Sequence, residues 1–307
     1  MKACIDIGGT KVAVSLNSGR DRDLVARRSE PTAVTGNNDA LALQVMRMVD
    51  AASAEAGVDA ASVQTAGVSS AGPFVMVDGR IELASPNICG GMAGPARGLP
   101  NDWRTALLEA PLAMRFARVR VENDCVAALE AERRWGALQD VDHCAYVTWS
   151  TGIGTGLCVD GRVLRGKNGN AGHAGHMFVS DNDDALCGCG NIGDVEALVA
   201  GNAVARRFGA DAASLLQRAQ ANDKDAAGKV DGMCRVLGRM LYDLIVSLDL
   251  QRISLGGSVF WNNRDYLLPR LRSHIVGHLP ALTDGCELVA AGLGSRVGDY
   301  AALALVD

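Results

Sequence analysis

Three glycine turns, each placed directly after a strand-like apolar run, constrain this chain more than any other feature. Ala3-Cys4-Ile5-Asp6-Ile7 reads as a buried strand and runs into Gly8-Gly9-Thr10-Lys11. Val12, Val14 and Leu16 then alternate with Ala13 and Ser15, the period expected of a second strand. His143 to Trp149 is again strand-like, opens into Ser150-Thr151-Gly152-Ile153-Gly154-Thr155-Gly156, and returns through Leu157 to Val159. Ile253 to Leu255 leads into Gly256-Gly257-Ser258. Glycine lets backbone N–H groups approach phosphate oxygens and tolerates positive φ. One such turn can be an ordinary hairpin; three in this setting point to a phosphorylated ligand. GxxxxGK[ST] is absent, as is GxGxxG after the first strand, so neither common nucleotide signature applies. The pattern at 3–16 recurs at 143–159, too loosely for a sequence repeat. It predicts two related lobes, each offering a glycine turn to one shared cleft.

The remaining pattern fills in those lobes. Leu41, Val45, Met48 and Val49 carry helical spacing over Leu41 to Ala56, and Val63 to Val68 reads as a strand. Phe74 to Val77 and Ile81 to Leu83 flank Asp78-Gly79, a strong hairpin signal. Val119 to Val121 is a strand, followed by a helix from about Cys125 to Arg134. Asp160-Gly161 is a further turn before Val163-Leu164. Met233, Leu237, Met240, Leu241, Leu244, Ile245 and Leu248 form a long core stripe, and the last helix covers about Gly294 to Leu305. The expected division is a first lobe over 1–118, joined by the C-terminal helix at about 294–307, and a second over 119–293.

Composition excludes several function classes. The 307 residues suit about two domains, and 48% hydrophobic with 21% charged residues is a soluble globular mixture. A net charge of −5 argues against nucleic acid or anionic lipid as partner. The longest uncharged stretch, Ala60 to Val77, is broken by Gln64, Thr65, Ser69, Ser70, Gly72 and Pro73, so no membrane span is expected. Asp6 interrupts the only apolar run near the N-terminus, so no secretory leader is read and the cytoplasm is the expected location. The nine cysteines are then free thiols or metal ligands. Cys4, Cys125, Cys144 and Cys158 read as small buried hydrophobes, and Cys187 and Cys189 stand apart as a close pair. His143, His274 and His278 read as surface or packing residues.

Two acids stand at strand ends. Asp6 would face a magnesium–phosphate complex, through water because Mg²⁺ keeps several waters. Glu122-Asn123-Asp124 follows the Val119 strand and precedes a helix. A carboxylate there suits a base that accepts a hydroxyl proton in phosphoryl transfer. Asn and Asp are also favoured helix N-caps, so capping is the other reading.

At this point the sequence resembles the ROK sugar kinases. The resemblance rests on Asp6-Ile7-Gly8-Gly9-Thr10-Lys11, Ala84-Ser85-Pro86-Asn87, Glu122-Asn123-Asp124 and Ser150 to Gly156. It continues through Gly169-Asn170-Ala171-Gly172-His173-Ala174-Gly175-His176, Cys187-Gly188-Cys189-Gly190, Glu196 and Gly256-Gly257. These segments come in the family order and span almost the whole chain. The resemblance implies an α/β, actin-like (ribonuclease H-like) two-lobe fold that closes over ATP and a hexose. It implies that Asp124 is the base, and that Gly72, Asn87, Asn123, Asp124, His173, His176 and Glu196 contact the sugar. It implies ATP and Mg²⁺ contacts by Asp6, Gly8, Gly9, Thr10, Lys11, Thr151, Gly152, Gly154, Gly256 and Gly257. A homodimer is common in the family. Its repressors carry a helix-turn-helix ahead of the kinase-like part, and a phosphate hairpin beginning at residue 3 argues against that here.

Two departures carry information. The family pattern is a His and three cysteines around a structural Zn²⁺; here His176, Cys187 and Cys189 are joined by Asp194 where the third cysteine belongs. Zinc accepts carboxylate oxygen, so a His/Cys/Cys/Asp site is chemically reasonable; two inert thiols are the alternative. ROK glucokinases typically have Glu where this chain has His173. Neutral His offers a donor and an acceptor, whereas a carboxylate only accepts. Bacterial N-acetylmannosamine kinases share that His. The expected activity is therefore ATP-dependent phosphorylation of the 6-hydroxyl of an amino or N-acyl hexose, with a glucokinase as runner-up and a non-catalytic sugar-binding regulator as remote alternative. The Gly- and Ala-rich segment Cys89 to Pro100 follows no assignable pattern and is a candidate to shape the sugar pocket.

Overall fold

The N-terminal alternation forms an antiparallel hairpin of β1 (Lys2–Ile7) and β2 (Lys11–Asn17). The structure, a computed structural model, describes residues 1–19, 21–93, 98–180, 185–275, 277 and 279–307. His278 and residues 94–97 of the Gly- and Ala-rich segment therefore lie outside the described residues. The chain divides into two units, Met1–Ala131 with Arg165–Ala171 and Gly298–Asp307, and Glu132–Leu164 with Gly172–Val297.

In the first unit the hairpin is joined by β3 (Leu24–Pro31), β4 (Thr65–Ser70), β5 (Phe74–Val77), β6 (Arg80–Leu83), β7 (Ala106–Leu107) and β8 (Arg118–Asn123). One sheet has the order β3-β2-β1-β4-β8, and β5-β6-β7 form a second. The helices are α1 (Ala40–Glu55), α2 (Gly90–Ala93), α3 (Glu109–Arg115) and α4 (Asp124–Trp135). Leu41, Val45, Met48 and Val49 of α1 are fully buried in one core with Ile5, Val14 and Val68, as their spacing predicts. Asp78 (φ +48°) and Gly79 (φ +71°) both sit in the left-handed region, which a two-residue hairpin turn requires.

Position in the chain predicts that the Val119 strand opens the second lobe. It belongs to the first unit: β8 pairs in parallel with β4, which pairs in parallel with β1. Chain order carries no information about which sheet a lone parallel strand completes. The strand expected at Val63 runs instead over Thr65–Ser70, because Ala60–Ser62 forms a single 3-10 turn capped by Asp59.

The second unit holds β9 (Cys144–Trp149), β10 (Ile153–Val159), β11 (Arg162–Val163), β12 (Arg252–Gly256) and β13 (Glu287–Ala290) in the order β11-β10-β9-β12-β13. Its helices are α5 (Val195–Val199), α6 (Gly201–Phe208), α7 (Ala212–Gln220), α8 (Lys224–Leu248), α9 (Ser258–Trp261), α10 (Arg264–Ser273) and α11 (Pro280–Thr283). The Met/Leu stripe of α8 is core, with Met233, Leu237, Met240 and Leu241 almost wholly buried. The glycine stretch after β9 is a turn only as far as Gly152. Ile153 to Gly156 are already strand, with Gly154 opposite Thr148 and Gly156 opposite Tyr146. The closing helix α12 (Val297–Ala304) packs on β4 so tightly that a Cβ on Gly67 would lie 2.1 Å from the Ala302 carbonyl oxygen. Among the described residues no helix is long and apolar enough to cross a membrane.

Candidate active site and metal cluster

The parallel strands of the first unit end side by side. Asp6, Ser69 and Glu122 share one level of the sheet, and Ile7, Ser70 and Asn123 the next. Carboxyl ends of parallel strands are where open α/β sheets place ligand groups. Burial pushes Asp6 up to about 6; the Asp124 charge pushes the same way, against Lys11 and a weak hydrogen bond from Ser69. Gly8 N–H donates to the Lys11 carbonyl at 2.8 Å, and Thr32 Oγ1 donates to the Gly8 carbonyl at 2.8 Å, which closes the turn. Neither Gly8 nor Gly9 has positive φ, so their freedom to adopt it is not what the turn uses. Close approach is: a Cβ on Gly9 would meet Asn87 Cβ at 2.8 Å. Thr10 and Lys11 are exposed beyond it, and Gly72 lies just past β4.

Of the two readings of Glu122-Asn123-Asp124, the structure shows the helix cap. Buried Asn123 caps α4, its Oδ1 accepting from Cys125 N–H at 3.0 Å. Asp124 is exposed in the first turn, where its Oδ1 accepts from the same N–H at 2.8 Å. Buried Glu122 pairs with Arg120 at 3.2 Å and Arg165 at 2.6 Å. Asn170 clamps the Phe74 peptide reciprocally at 2.8 and 2.7 Å. Asn101 holds the turn after Asn87, accepting from Gly90 N–H at 2.8 Å and donating to the Ile88 carbonyl at 2.9 Å. Sequence reasoning gave Arg165, Asn170 and Asn101 no role, because nothing in local spacing marks a long-range amide or guanidinium contact.

In the second unit the two remaining glycine turns are neighbours. Gly256 is level with Thr148 on parallel strands, and Gly257 (φ +87°) would place a Cβ 2.5 Å from the Trp149 carbonyl oxygen. Only glycine fits that combination of angle and crowding. Exposed Thr151 and half-buried Gly152 form the first turn, and Gly154 lies in β10. A pocket of about 480 Å³ opens beside the second turn, lined by Gln217, Gln220, Ser258, Val259, Asn262 and Asn263 among others. Cβ atoms on Gly172 and Gly175 would meet the carbonyl oxygens of Thr155 and Ile153 at 2.3 and 2.2 Å. The loop is thus pressed onto β10, with the His173 and His176 rings stacked at 6.2 Å.

His176, Cys187, Cys189 and Asp194 converge with their donor atoms all within 4.8 Å of one another. His176 Nδ1 lies 3.7 Å from Cys187 Sγ, 3.5 Å from Cys189 Sγ and 3.1 Å from Asp194 Oδ2; Cys189 Sγ is 3.7 Å from Asp194 Oδ2. Tetrahedral zinc bonds of about 2.0–2.3 Å require donors separated by about 3.3–3.8 Å, and the four separations of 3.1–3.7 Å lie close to that range, so the donor types and spacing suit the ion. Asp194 is fully buried, and its second oxygen caps α5 by accepting from Ala197 N–H at 2.7 Å. Although burial opposes its ionisation, hydrogen bonds from His176 and Ala197 hold Asp194 below the usual carboxylate range. The hydrogen bond to Asp194 raises His176, and burial raises the Cys187 thiol. A bound dication would reverse that last effect, since a coordinating thiol is deprotonated.

Comparisons with known proteins agree on the family. A sequence profile described as ROK family matches residues 2–307. An N-acetylmannosamine kinase of Escherichia coli O139:H28 is 33% identical over 266 residues, covering 83% of this chain and 82% of the relative. The crystal structure of a ROK hexokinase from Thermus thermophilus superposes with a TM-score of 0.77 at 31% identity, covering 98% of this chain and 95% of that one. A ROK family glucokinase from Streptomyces griseus, in complex with glucose and AMPPNP, superposes with a TM-score of 0.73 at 26% identity, covering 98% and 97%.

Proposed function

The chain belongs to the ROK family, and from that premise we propose that it transfers the terminal phosphoryl group of ATP to the 6-hydroxyl of an amino or N-acyl hexose. The observation that carries this reading is Asp124, exposed in the first turn of α4 and electrostatically coupled to Asp6. In the proposed step Asp124 accepts the hydroxyl proton as the sugar oxygen bonds to phosphorus and the bond to ADP breaks. Asn87, Asn123, Gly72, His173, His176 and Glu196 hold the sugar. The turns at Gly8–Lys11, Thr151–Gly152 and Gly256–Gly257 hold the phosphates, and the pocket beside Ser258 takes the base. Mg²⁺, when bound, would neutralise phosphate charge, and Asp6 would hold it through water.

N-acetylmannosamine is the substrate we favour, because His173 stands where glucokinases of the family carry Glu and the curated relative bears that activity. The glucose-bound relative supports glucose as the second reading. ADP release in the presence of ATP and Mg²⁺ against N-acetylmannosamine, N-acetylglucosamine, mannose, glucosamine, 3-amino-3-deoxyglucose and glucose separates them. A preference for the amino or N-acyl sugars is expected; a preference for glucose removes His173 as the determinant. Zinc, held by His176, Cys187, Cys189 and Asp194, would be structural, fixing the loop that carries both histidines. A cytoplasmic location accords with the reading, since the thiols of Cys187 and Cys189 stay reduced there.

Asp6 supplies a pH prediction. Its ionised form is the one that would face magnesium, and with a pKa raised by burial to about 6 that form is lost as pH falls through 6. Binding of Mg·AMPPNP, followed calorimetrically, should weaken on the acid side of that value. The nucleotide's own phosphate titrates in the same range, so the decisive comparison is with Asp124→Asn. Removing the Asp124 charge should move the acid limb to lower pH, and an unmoved limb would count against the coupling.

A further inference from the structure

We propose that Glu196 is a positioning residue for the phosphate turn at 150–152, an assignment that rests on the kinase reading above. Its Oε2 accepts the Ile153 N–H at 3.0 Å, at the point where the turn becomes β10. Its Oε1 faces the other way, 3.8 Å from Cys187 Sγ. Three further contacts dock the turn on the same stretch of chain. Trp149 Nε1 donates to the Val199 carbonyl at 2.8 Å, Gly201 N–H to Ser150 at 2.8 Å, and Asn202 N–H to Thr151 at 3.2 Å.

Those three use backbone acceptors, and two of them use backbone donors as well. The Glu196 contact alone depends on a side-chain carboxylate. A negative charge beside a phosphate turn opposes anion binding unless something offsets it. The Ile153 N–H takes up one carboxylate oxygen, and the N–H groups of Thr151 and Gly152 remain without a hydrogen-bond partner among the described residues, available to a phosphate.

Gly152 is the complementary half of the arrangement. Its φ is not positive, so its conformation does not demand glycine. A Cβ there would meet Glu196 Oε2 at 2.7 Å and, within 4 Å, otherwise only the Cδ of the same carboxylate. The missing side chain is what lets Glu196 reach the Ile153 N–H. Through Asp194, which caps α5 and sits in the metal cluster, the shape of this turn is linked to the metal loop.

The test is calorimetric binding of Mg·AMPPNP to the full chain without sugar. Glu196→Ala should weaken binding by about 10-fold or more, the scale of a lost hydrogen bond to a charged group. Glu196→Gln keeps an oxygen acceptor for the Ile153 N–H, so its sugar-free binding of Mg·AMPPNP should stay within about threefold of wild type, whatever the change does to the proposed sugar contact. That rescue distinguishes positioning from any need for the charge itself. Gly152→Ala tests the same contact without removing the acid, and should weaken binding alone but add little in the Glu196→Ala background. Wild-type affinity in Glu196→Ala, or losses from the two substitutions that simply add, would overturn the assignment. Failure of the wild-type chain to bind AMPPNP at all would instead remove the kinase reading, and the assignment with it.

Discussion

Asp124→Asn is expected to lower turnover by about 10²–10⁴-fold, the usual range for a lost general base. The fold should be indifferent to it. Asp124 is exposed, and the helix N–H it accepts from is also taken by Asn123 Oδ1. Asparagine keeps an oxygen at the same place, so the first turn of α4 retains both acceptors. What disappears is the group that takes the sugar hydroxyl proton. The thermal unfolding midpoint should therefore stay within about 2–4 °C of wild type, the shift of about 1 kcal/mol in a chain of this size. ADP-release kinetics with the preferred sugar, read beside thermal unfolding, give both numbers from one preparation. Near-normal turnover would remove Asp124 from the mechanism, and a collapse of the midpoint would mean that the loss in rate reports unfolding.

The parts of this molecule legible in its sequence are those written locally. The β1–β2 hairpin follows from alternation, and the turns at Asp78-Gly79 and Asp160-Gly161 from residues that tolerate the left-handed region, which all four occupy. The α8 stripe is plain because seven apolar side chains keep one helical face. What escaped was written in partnership. β3 reads as polar chain because it is an edge strand with no buried face: exposed and half-buried residues alternate along it, and Arg28 and Glu30 take half-buried positions while Val25 is exposed. The lobe of β8 is not legible locally because its partner, β4, lies about fifty residues earlier. Gly154 and Gly156 hid the start of β10, since glycine is a poor strand former. The candidate site divides the same way. Glycine turns and strand-end acids announced themselves, and His176, Cys187, Cys189 and Asp194 came only through the family pattern. The double attachment of Asp194 had no signal in spacing.

That double attachment sets the second large effect. Asp194 uses one oxygen to cap α5 and presents the other to His176 and Cys189. Asp194→Asn separates the duties: the amide oxygen can still cap, but the anionic ligand is replaced by an NH₂ that cannot bind a metal. After expression with added zinc, the wild-type chain should carry close to one ion by elemental analysis. The Asn variant should hold zinc at least about 10²-fold more weakly, since even outer-shell changes cost about 10–100-fold. A chelator should lower the wild-type unfolding midpoint towards that of Asp194→Asn and leave the variant unmoved. Asp194→Cys is the informative reverse. It supplies a third thiolate, which binds this ion better than hard oxygen, but loses the cap, worth about 1 kcal/mol. Zinc retention against chelator should therefore run Cys above Asp above Asn, while the metal-free Cys variant should unfold earlier than the metal-free wild type. Sub-stoichiometric zinc in the wild type, or equal retention in Asp and Asn, would leave Asp194 as a capping residue alone. The ordering matters for mechanism because the same aspartate fixes the helix carrying Glu196 and the loop carrying His173 and His176. If the ion is resident, the groups proposed to hold the sugar and the groups proposed to shape the phosphate turn are tied to one buried carboxylate.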